Sequence, residues 1–410
     1  MNEHFAPWNC TREVLEELIA AARDMSPVSG LTHNFYRYPA RFSPKFVRAA
    51  IRAFTSPGDL IFDPFVGGGT TLVEALHLGR DALGIDISSL AAFISEVKTT
   101  LYTETDLKIV ERWAREVSKS VNIHGETPAA GAEAPPGYKR HMARRATWRL
   151  RKATEQALAT AIRLSPPRLE RFARCTILRT AQWALDSRKK LPTIEEFRRA
   201  LLSNALSMIQ GARELRHVVE QHRSHNAPLI RCLVRSVDGV ESEPFWKEGR
   251  KPKLVITSPP YPGVHVLYHR WQVDGRKESP APFWIANQLD GSGASYYTMG
   301  DRGAQGLKPY FEKLRSSLQS VADICAEDTL LVQIVAFSEP RWQLPRYLSV
   351  ADDAGLREAF LPVLRDVGDG RLWRTVPNRK WYADQRGRTH GSQEVVLFHR
   401  LALRSRHRTL

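Results

Sequence analysis

The chain has 410 residues, 42% of them hydrophobic and 25% charged. At about 150 residues per domain this leaves room for two or three domains and excludes a disordered, collagen-like or coiled-coil polymer. The 60 Lys and Arg against 44 Asp and Glu leave +16, and residues 139–225 alone hold 20 basic and 7 acidic side chains, so a polyanionic partner is expected to meet that segment. No apolar run reaches the roughly 18 residues of a membrane span. The start, Met1-Asn2-Glu3-His4, has no basic and apolar leader. Cys10, Cys175, Cys232 and Cys325 have neither paired nor framework spacing. A cytoplasmic chain with reduced thiols is expected.

Residues 11–24 carry Val14, Leu15, Leu18 and Ile19 at helical spacing. A second helix is predicted from Lys45 to Phe54, with Phe46, Val47, Ala50, Ile51 and Phe54 on one face and Ser56-Pro57-Gly58-Asp59 closing it. The period then changes. Leu60-Ile61-Phe62 reads as a strand running into Asp63-Pro64-Phe65-Val66-Gly67-Gly68-Gly69-Thr70-Thr71. Leu72 to Leu78 is helical again, and Ala82-Leu83-Gly84-Ile85-Asp86 is a second strand ending in an acid. This is a βαβ unit.

Residues 91–118 are predicted helical, and 122–137, rich in Ala, Gly, Pro and Glu, a mobile loop. From Tyr138 to Val219 the pattern is helical, broken at Ser165-Pro166-Pro167 and Leu191-Pro192-Thr193, where Thr193 and Glu196 fit a capping box. Strands return at Leu229 to Val237, Lys253 to Thr257, Thr329 to Phe337 and Glu394 to His399. The expected fold class is α/β, a Rossmann-like, mostly parallel sheet with an inserted helical subdomain. Its parts are a helical extension (1–32), the half with the glycine-rich turn (33–99), a basic helical insertion (100–227) and a second half of the sheet (228–410).

Two motifs carry chemistry. A strand that meets a helix N-terminus through glycines lets backbone N–H groups approach a ligand and offers partial positive charge to an anion. Neither a Walker loop nor a G-x-G-x-x-G fingerprint fits Gly67-Gly68-Gly69-Thr70-Thr71-Leu72. Asp86, at the end of the next strand, suits ribose hydroxyls, and together these favour an adenosine-containing ligand. The plainer reading is an ordinary turn with a surface aspartate. The second motif is Thr257-Ser258-Pro259-Pro260-Tyr261, at the carboxyl end of the Leu254-Val255-Ile256 strand. Prolines remove N–H donors and leave carbonyls that only accept. Acceptors beside an aromatic ring suit an exocyclic amine on a flat base, whereas the bland alternative is a Pro-Pro turn with a half-buried tyrosine. His265 and His269 have metal-like spacing but no third ligand nearby, so no metal site is read.

These two motifs, with Tyr38-Pro39-Ala40-Arg41-Phe42-Ser43-Pro44 upstream, resemble the S-adenosylmethionine-dependent amino methyltransferases of DNA, which act on cytosine N4 or adenine N6. The resemblance covers residues 33–90 and 228–400. It implies S-adenosylmethionine as cofactor, held by Tyr38, Pro39, Phe42, Asp63, Pro64, Phe65, Gly67 and Gly69. Thr70 and Thr71 would lie near its carboxylate, Asp86 at the ribose and Asp238 near the adenine. Ser258, Pro259, Pro260 and Tyr261 would form the catalytic site, with Tyr261 stacked on the base. Serine at the first motif position favours cytosine N4. The motif order, cofactor before catalytic, runs opposite to many cytosine-N4 enzymes of this type and weakens that choice without touching the reaction class.

The insertion supplies the expected DNA contacts: Lys139, Arg140, Arg144, Arg145, Arg149, Arg151 and Lys152, read as charges around a helix with Trp148 among them. A solvated helix face is the plainer account. Residues 268–308 are the second candidate, with Arg270, Trp271, Arg276, Tyr296, Tyr297 and Arg302 placed to clamp strands or fill the void of an extruded base. The expected partner is double-stranded DNA at the nucleoid, with a cognate restriction endonuclease compatible with it. An adenine-N6 enzyme, an RNA base amino methyltransferase and a silent DNA-binding subunit are the alternatives.

Overall fold

A short ladder, β1 (His4–Phe5) against β2 (Cys10–Thr11), leads into the amphipathic helix α1 (Arg12–Arg23). Ser43 caps α2 (Pro44–Phe54) by accepting from the Phe46 N–H, and Pro44 stands where a helix needs no donor. The expected apolar face of α2, Phe46, Val47, Ala50, Ile51 and Phe54, is buried. Then come β3 (Leu60–Asp63), α3 (Thr70–His77), β4 (Asp81–Asp86) and α4 (Ser89–Thr99), the βαβ unit and its following helix. The computed structural model describes residues 4–5, 8, 10–38, 42–125, 136–221, 227–246, 249–262, 270–275, 277–291, 293, 297, 299, 304–376 and 392–402. Most of the loop expected at 122–137 lies outside them.

Among the described residues the insertion holds four helices: α5 (Glu104–Ser120), α6 (Trp148–Ala161), α7 (Pro167–Leu185) and α8 (Ile194–Gln221). The Thr193 and Glu196 capping box is present, with N···O distances of 2.7 and 3.2 Å. The helical pattern read from Tyr138 is overturned over its first ten residues, because 137–147 is a string of turns closed by Arg140 N–H to Gly137 O and Thr147 N–H to Arg144 O.

The chain returns through β5 (Ile230–Val234), β6 (Leu254–Thr257) and the hairpin β7 (Trp271–Val273) with β8 (Lys277–Ser279), then α9 (Ala281–Ala286) and α10 (Ala304–Ile324). It ends in β9 (Leu330–Val335), α11 (Pro340–Asp353), β10 (Leu356–Ala359), β11 (Leu372–Val376) and β12 (Ser392–Leu401). Among the described residues the main sheet has the order β10-β12-β9-β6-β3-β4-β5, and β11 pairs with the same edge of β12 as β10 does. From β9 to β5 the pairs are parallel, and β12 enters antiparallel beside β9, Val395 opposite Val335. This is the α/β, mostly parallel sheet that the sequence predicts.

Strand alternation sorts the central side chains into two layers. Ile61, Leu254 and Ile256 face α1 and α2, whereas Leu60, Phe62 and Val255 face α10 and α11. Both faces are covered, which is why β3 and β6 read as unbroken apolar runs. The insertion builds a third core that includes Phe93 and Ile94 of α4, Phe172 and Ile177 of α7, Trp271 of β7 and Phe283 of α9. No helix among the described residues is long and apolar enough to cross a membrane.

At Gly211 in α8 a Cβ would stand 2.1 Å from the Leu31 carbonyl oxygen, so the helix passes against the segment leading to Tyr38 with no room for a side chain. Gly211→Ala should therefore cost about 1–3 kcal/mol, read as a lower urea midpoint with an unchanged m-value.

Candidate functional site

Strand order reverses direction between β3 and β6, which opens a crevice at their carboxyl ends. Asp63 ends β3 and Thr257 ends β6, and the Thr257 hydroxyl donates to Asp63 Oδ1 at 2.7 Å. The Phe65 N–H donates to the same oxygen at 3.1 Å. The two sequence motifs thus meet through one buried hydrogen bond.

Gly67 and Gly69 take φ of +48° and +75°, a region that L side chains rarely enter. A Cβ on Gly69 would also press to 2.6 Å from Ser95 Oγ. Gly69 caps α3 without a side-chain oxygen, so the helix N-terminus formed by buried Thr70 and Thr71 keeps its partial positive charge at this edge. Lys98, fully buried on α4, donates to the Gly68 carbonyl at 2.6 Å and holds the loop from behind. Tyr38 is buried with its ring beside Gly67. Phe42 packs edge-on to Phe46, Pro64 is buried and Phe65 is half-buried. Pro39 lies outside the described residues.

Asp86 accepts from the Gly67 N–H at 2.9 Å and the Ser88 N–H at 2.8 Å, one on each oxygen. The amide of Gly67 is therefore committed to the protein. A carboxylate has about four acceptor positions, so each oxygen keeps one for a ligand hydroxyl. Loss of solvent raises both acids to about 6, in Asp63 against the pull of the Thr71 and Thr257 hydroxyls and the Phe65 amide, and in Asp86 against the Ser88 and Gly67 amides. Two carboxyls short of countercharge suit a ligand that brings hydroxyls and positive charge. Asp238 is exposed beyond β5, its Oδ1 accepting from Ser317 Oγ of α10 at 2.9 Å.

In the Thr257-to-Tyr261 motif Ser258 is half-buried, and Pro259 and Tyr261 are buried. Ser258 Oγ donates to the Tyr261 hydroxyl at 3.1 Å, and Tyr261 donates to Glu394 Oε1 at 2.7 Å. Tyr310 of α10 donates to the Pro260 carbonyl at 2.8 Å. Sequence reasoning missed Glu394, Tyr310 and Lys98. It also missed Glu74 of α3, which receives His33 at 2.7 Å, Arg48 at 2.8 Å and His77 at 3.1 Å. Burial alone would raise the Glu74 carboxyl, but these three partners hold it well below its ordinary value. The available signal was a glutamate flanked by the apolar Leu72, Val73, Ala75 and Leu76 of α3.

The basic candidates divide. Lys139 and Arg151 both pair with Glu155, at 2.6 and 3.0 Å, and Arg144 pairs with Asp274 at 2.7 Å. The acids missing from the local sequence come from the next helical turn and from the β7–β8 hairpin. Arg140, Arg145 and Arg149 are exposed, with Arg149 5.7 Å from the Trp148 ring, and Lys152 is half-buried. Since 139–147 is not helical, these charges do not encircle a helix.

Arg270 pairs with Asp290 in a shielded setting, which counts against its reading as a DNA contact. Trp271 is buried, donating to the Tyr36 hydroxyl at 2.9 Å, and Tyr297 stacks on Phe283. Aromatics read as a strand clamp are here core packing for the insertion. Arg276, Tyr296, Arg302, His265 and His269 lie outside the described residues, and among those described no group of His, Cys, Asp and Glu is arranged to hold a metal.

Residues 8–96 match the family model described as DNA methylase. Over 76 residues the chain is 40% identical to the Type II methyltransferase M.MjaII of Methanocaldococcus jannaschii, a stretch covering 18% of this chain and 14% of that protein. It is 38% identical over 86 residues to the Type II methyltransferase M.BsoBI of Geobacillus stearothermophilus, 21% of this chain and 17% of that one. It is 33% identical over 66 residues to the DNA adenine methyltransferase YhdJ of Escherichia coli, 16% and 22% respectively. The matches span less than a quarter of each relative. They bear out the likeness to the S-adenosylmethionine-dependent DNA amino methyltransferases, and S-adenosylmethionine is the cofactor that goes with it. The crevice fits that cofactor, with acids for its hydroxyls and cationic end and an uncapped helix N-terminus for its carboxylate.

In the free protein Asp63 and Asp86 keep their protons to higher pH than in the unfolded chain. The folded state therefore binds more protons from about 4, the ordinary Asp value, to about 6, and stability falls as pH rises through that window. Asp63→Asn, whose Oδ1 can keep the Thr257 and Phe65 bonds, should make that fall shallower while weakening cofactor binding about tenfold or more. Thermal melts between pH 4 and 8 and calorimetric titration check both.

Proposed function

We propose that this chain transfers a methyl group from S-adenosylmethionine to the exocyclic amine of a base extruded from double-stranded DNA, cytosine N4 first and adenine N6 second. The observation that carries this reading is the 2.7 Å bond from Thr257 to Asp63, which fixes the acceptor motif beside the glycine loop. When bound, the cofactor supplies a methyl group on a sulfonium, already activated for attack. The chain's own part is positioning and acceptor polarity.

Asp86 takes the ribose hydroxyls, Asp63 the cationic end, and Tyr38 with Phe42 the covering segment. Ser258 Oγ and the Pro259 carbonyl accept hydrogen bonds from the amine's N–H groups and direct nitrogen density at the methyl carbon, and the proton the amine loses passes to solvent. The Pro260 carbonyl, which already accepts from Tyr310, keeps one lone pair and stands as a further acceptor. Tyr261 lines the base site. Asp238, in the turn after β5, takes the adenine role.

DNA phosphates meet the exposed Arg140, Arg145 and Arg149 of the insertion. Serine at 258 supports cytosine N4, whereas the motif order and the adenine-specific relative support adenine N6. A cognate restriction endonuclease belongs to the same proposal, supported by the Type II names of two relatives, as does action on nucleoid DNA in the cytoplasm.

Labelled S-adenosylmethionine incubated with duplex DNA or RNA, followed by digestion to nucleosides and mass spectrometry, should place the label on N4-methylcytosine from DNA. N6-methyladenine would reassign the base, label in RNA alone would overturn the DNA reading, and no label in either would leave a silent binding subunit. Replacing Arg145 and Arg149 with Ala should reduce the slope of log affinity against log salt by about 2, measured by fluorescence anisotropy. An unchanged slope would move the phosphate contacts elsewhere.

A further inference from the structure

We propose that Glu394 is a positioning residue that fixes which way the Ser258 hydroxyl faces. This rests on the reading of Ser258 as acceptor for the target amine. Glu394 comes from β12, 133 residues beyond Tyr261, and reaches the motif because β12 enters antiparallel beside β9 with its start at the carboxyl edge of the parallel strands. Arg374, directly opposite on β11, sets Nε 3.4 Å from Glu394 Oε2, and both side chains are about one-tenth exposed.

The direction of the chain of hydrogen bonds follows from its last member. A carboxylate has no proton to give, so at 2.7 Å the Tyr261 hydroxyl must donate to it. With its single proton committed, the Tyr261 oxygen accepts, and Ser258 donates to it at 3.1 Å. The proton of Ser258 is thereby turned away from the crevice, and its lone pairs face an incoming N–H. Without Glu394 the phenol proton is able to turn to Ser258, whose own proton then meets the amine head-on. The polarity of the catalytic acceptor is thus set by a side chain that does not touch the base.

The test compares Glu394→Met, Glu394→Gln, Tyr261→Phe and the Glu394→Met/Tyr261→Phe double variant. Single-turnover methylation, calorimetric S-adenosylmethionine affinity and 2-aminopurine fluorescence at the target are the readouts. Glu394→Met and Tyr261→Phe should each slow methylation about tenfold to a hundredfold at unchanged cofactor affinity. Glu394→Gln, which keeps an acceptor oxygen, should recover most of the rate, and the double variant should be no slower than Tyr261→Phe alone. A wild-type rate in Glu394→Met, or a double variant slowed by the product of the single effects, would overturn the proposal.

If Glu394→Met fails to fold, Tyr261→Phe still carries the test, since it leaves the Glu394 and Arg374 pair intact. If the wild-type protein methylates no DNA, the functional reading fails by itself. The bond direction is then tested on the free protein, where a slowly exchanging Tyr261 hydroxyl proton should be visible by NMR in the wild type and absent from Glu394→Met. Its presence in both would refute the direction.

Discussion

A single buried hydrogen bond, Thr257 Oγ1 to Asp63 Oδ1, joins the two ends of the crevice. The surrounding structure converges on that contact. β3 and β6 are neighbours in parallel register, Ile61 opposite Leu254, so their carboxyl ends finish side by side. A threonine there supplies a short donor, and an aspartate supplies an acceptor with a second oxygen to spare. Covering both sheet faces with helices removes the solvent that would compete for this bond, and the same burial raises the Asp63 carboxyl to about 6. The site is thus a by-product of the core: the apolar layers that stabilise the sheet also create the low-dielectric edge.

Much of this was legible in the sequence, for a definable reason. Leu60 to Asp86 reads correctly because every level agrees: an apolar strand, glycines at positive φ, a helical period and a second strand. The position of the Thr257-to-Tyr261 motif at a strand end was readable because two prolines in succession stop a strand. What could not be read is what depends on pairing. Glu394 sits in an ordinary strand pattern, and only the antiparallel entry of β12 brings it to Tyr261. Lys98 and Glu74 look like surface charges on their helices until the helical layer closes over them. The strands β10 and β11 are edge partners of β12, too short and too polar for period-2 alternation to mark them.

The basic insertion shows the same limit from the other side. Counting charges correctly located the excess, but local sequence hides acids that arrive from elsewhere. Glu155 takes two of the seven nominated cations and Asp274 a third. The rest of the insertion's surface charge stands on a substantial apolar core of its own, which it shares with α4 and with the hairpin that follows the catalytic motif. Charge and packing are therefore separate layers of the same helices, one turned to solvent and one continuous with the sheet domain.

That continuity bears on how such a protein can be re-engineered or can diverge. Gln182 of α7 grips the Arg37 backbone from both sides, accepting from its N–H at 3.3 Å and donating to its carbonyl at 2.9 Å. Arg37 immediately precedes Tyr38, the ring beside Gly67. The helical layer is consequently not an interchangeable cassette. A foreign helical unit grafted between α4 and β5 would have to bring its own glutamine for Arg37 and its own bare helix surface for Leu31. It would also have to pack against Trp271, which stays on β7 donating to Tyr36, or the segment that covers the glycine loop would lose its support. Exchanging the insertion between such proteins therefore means transplanting a set of backbone grips as well as a set of charges.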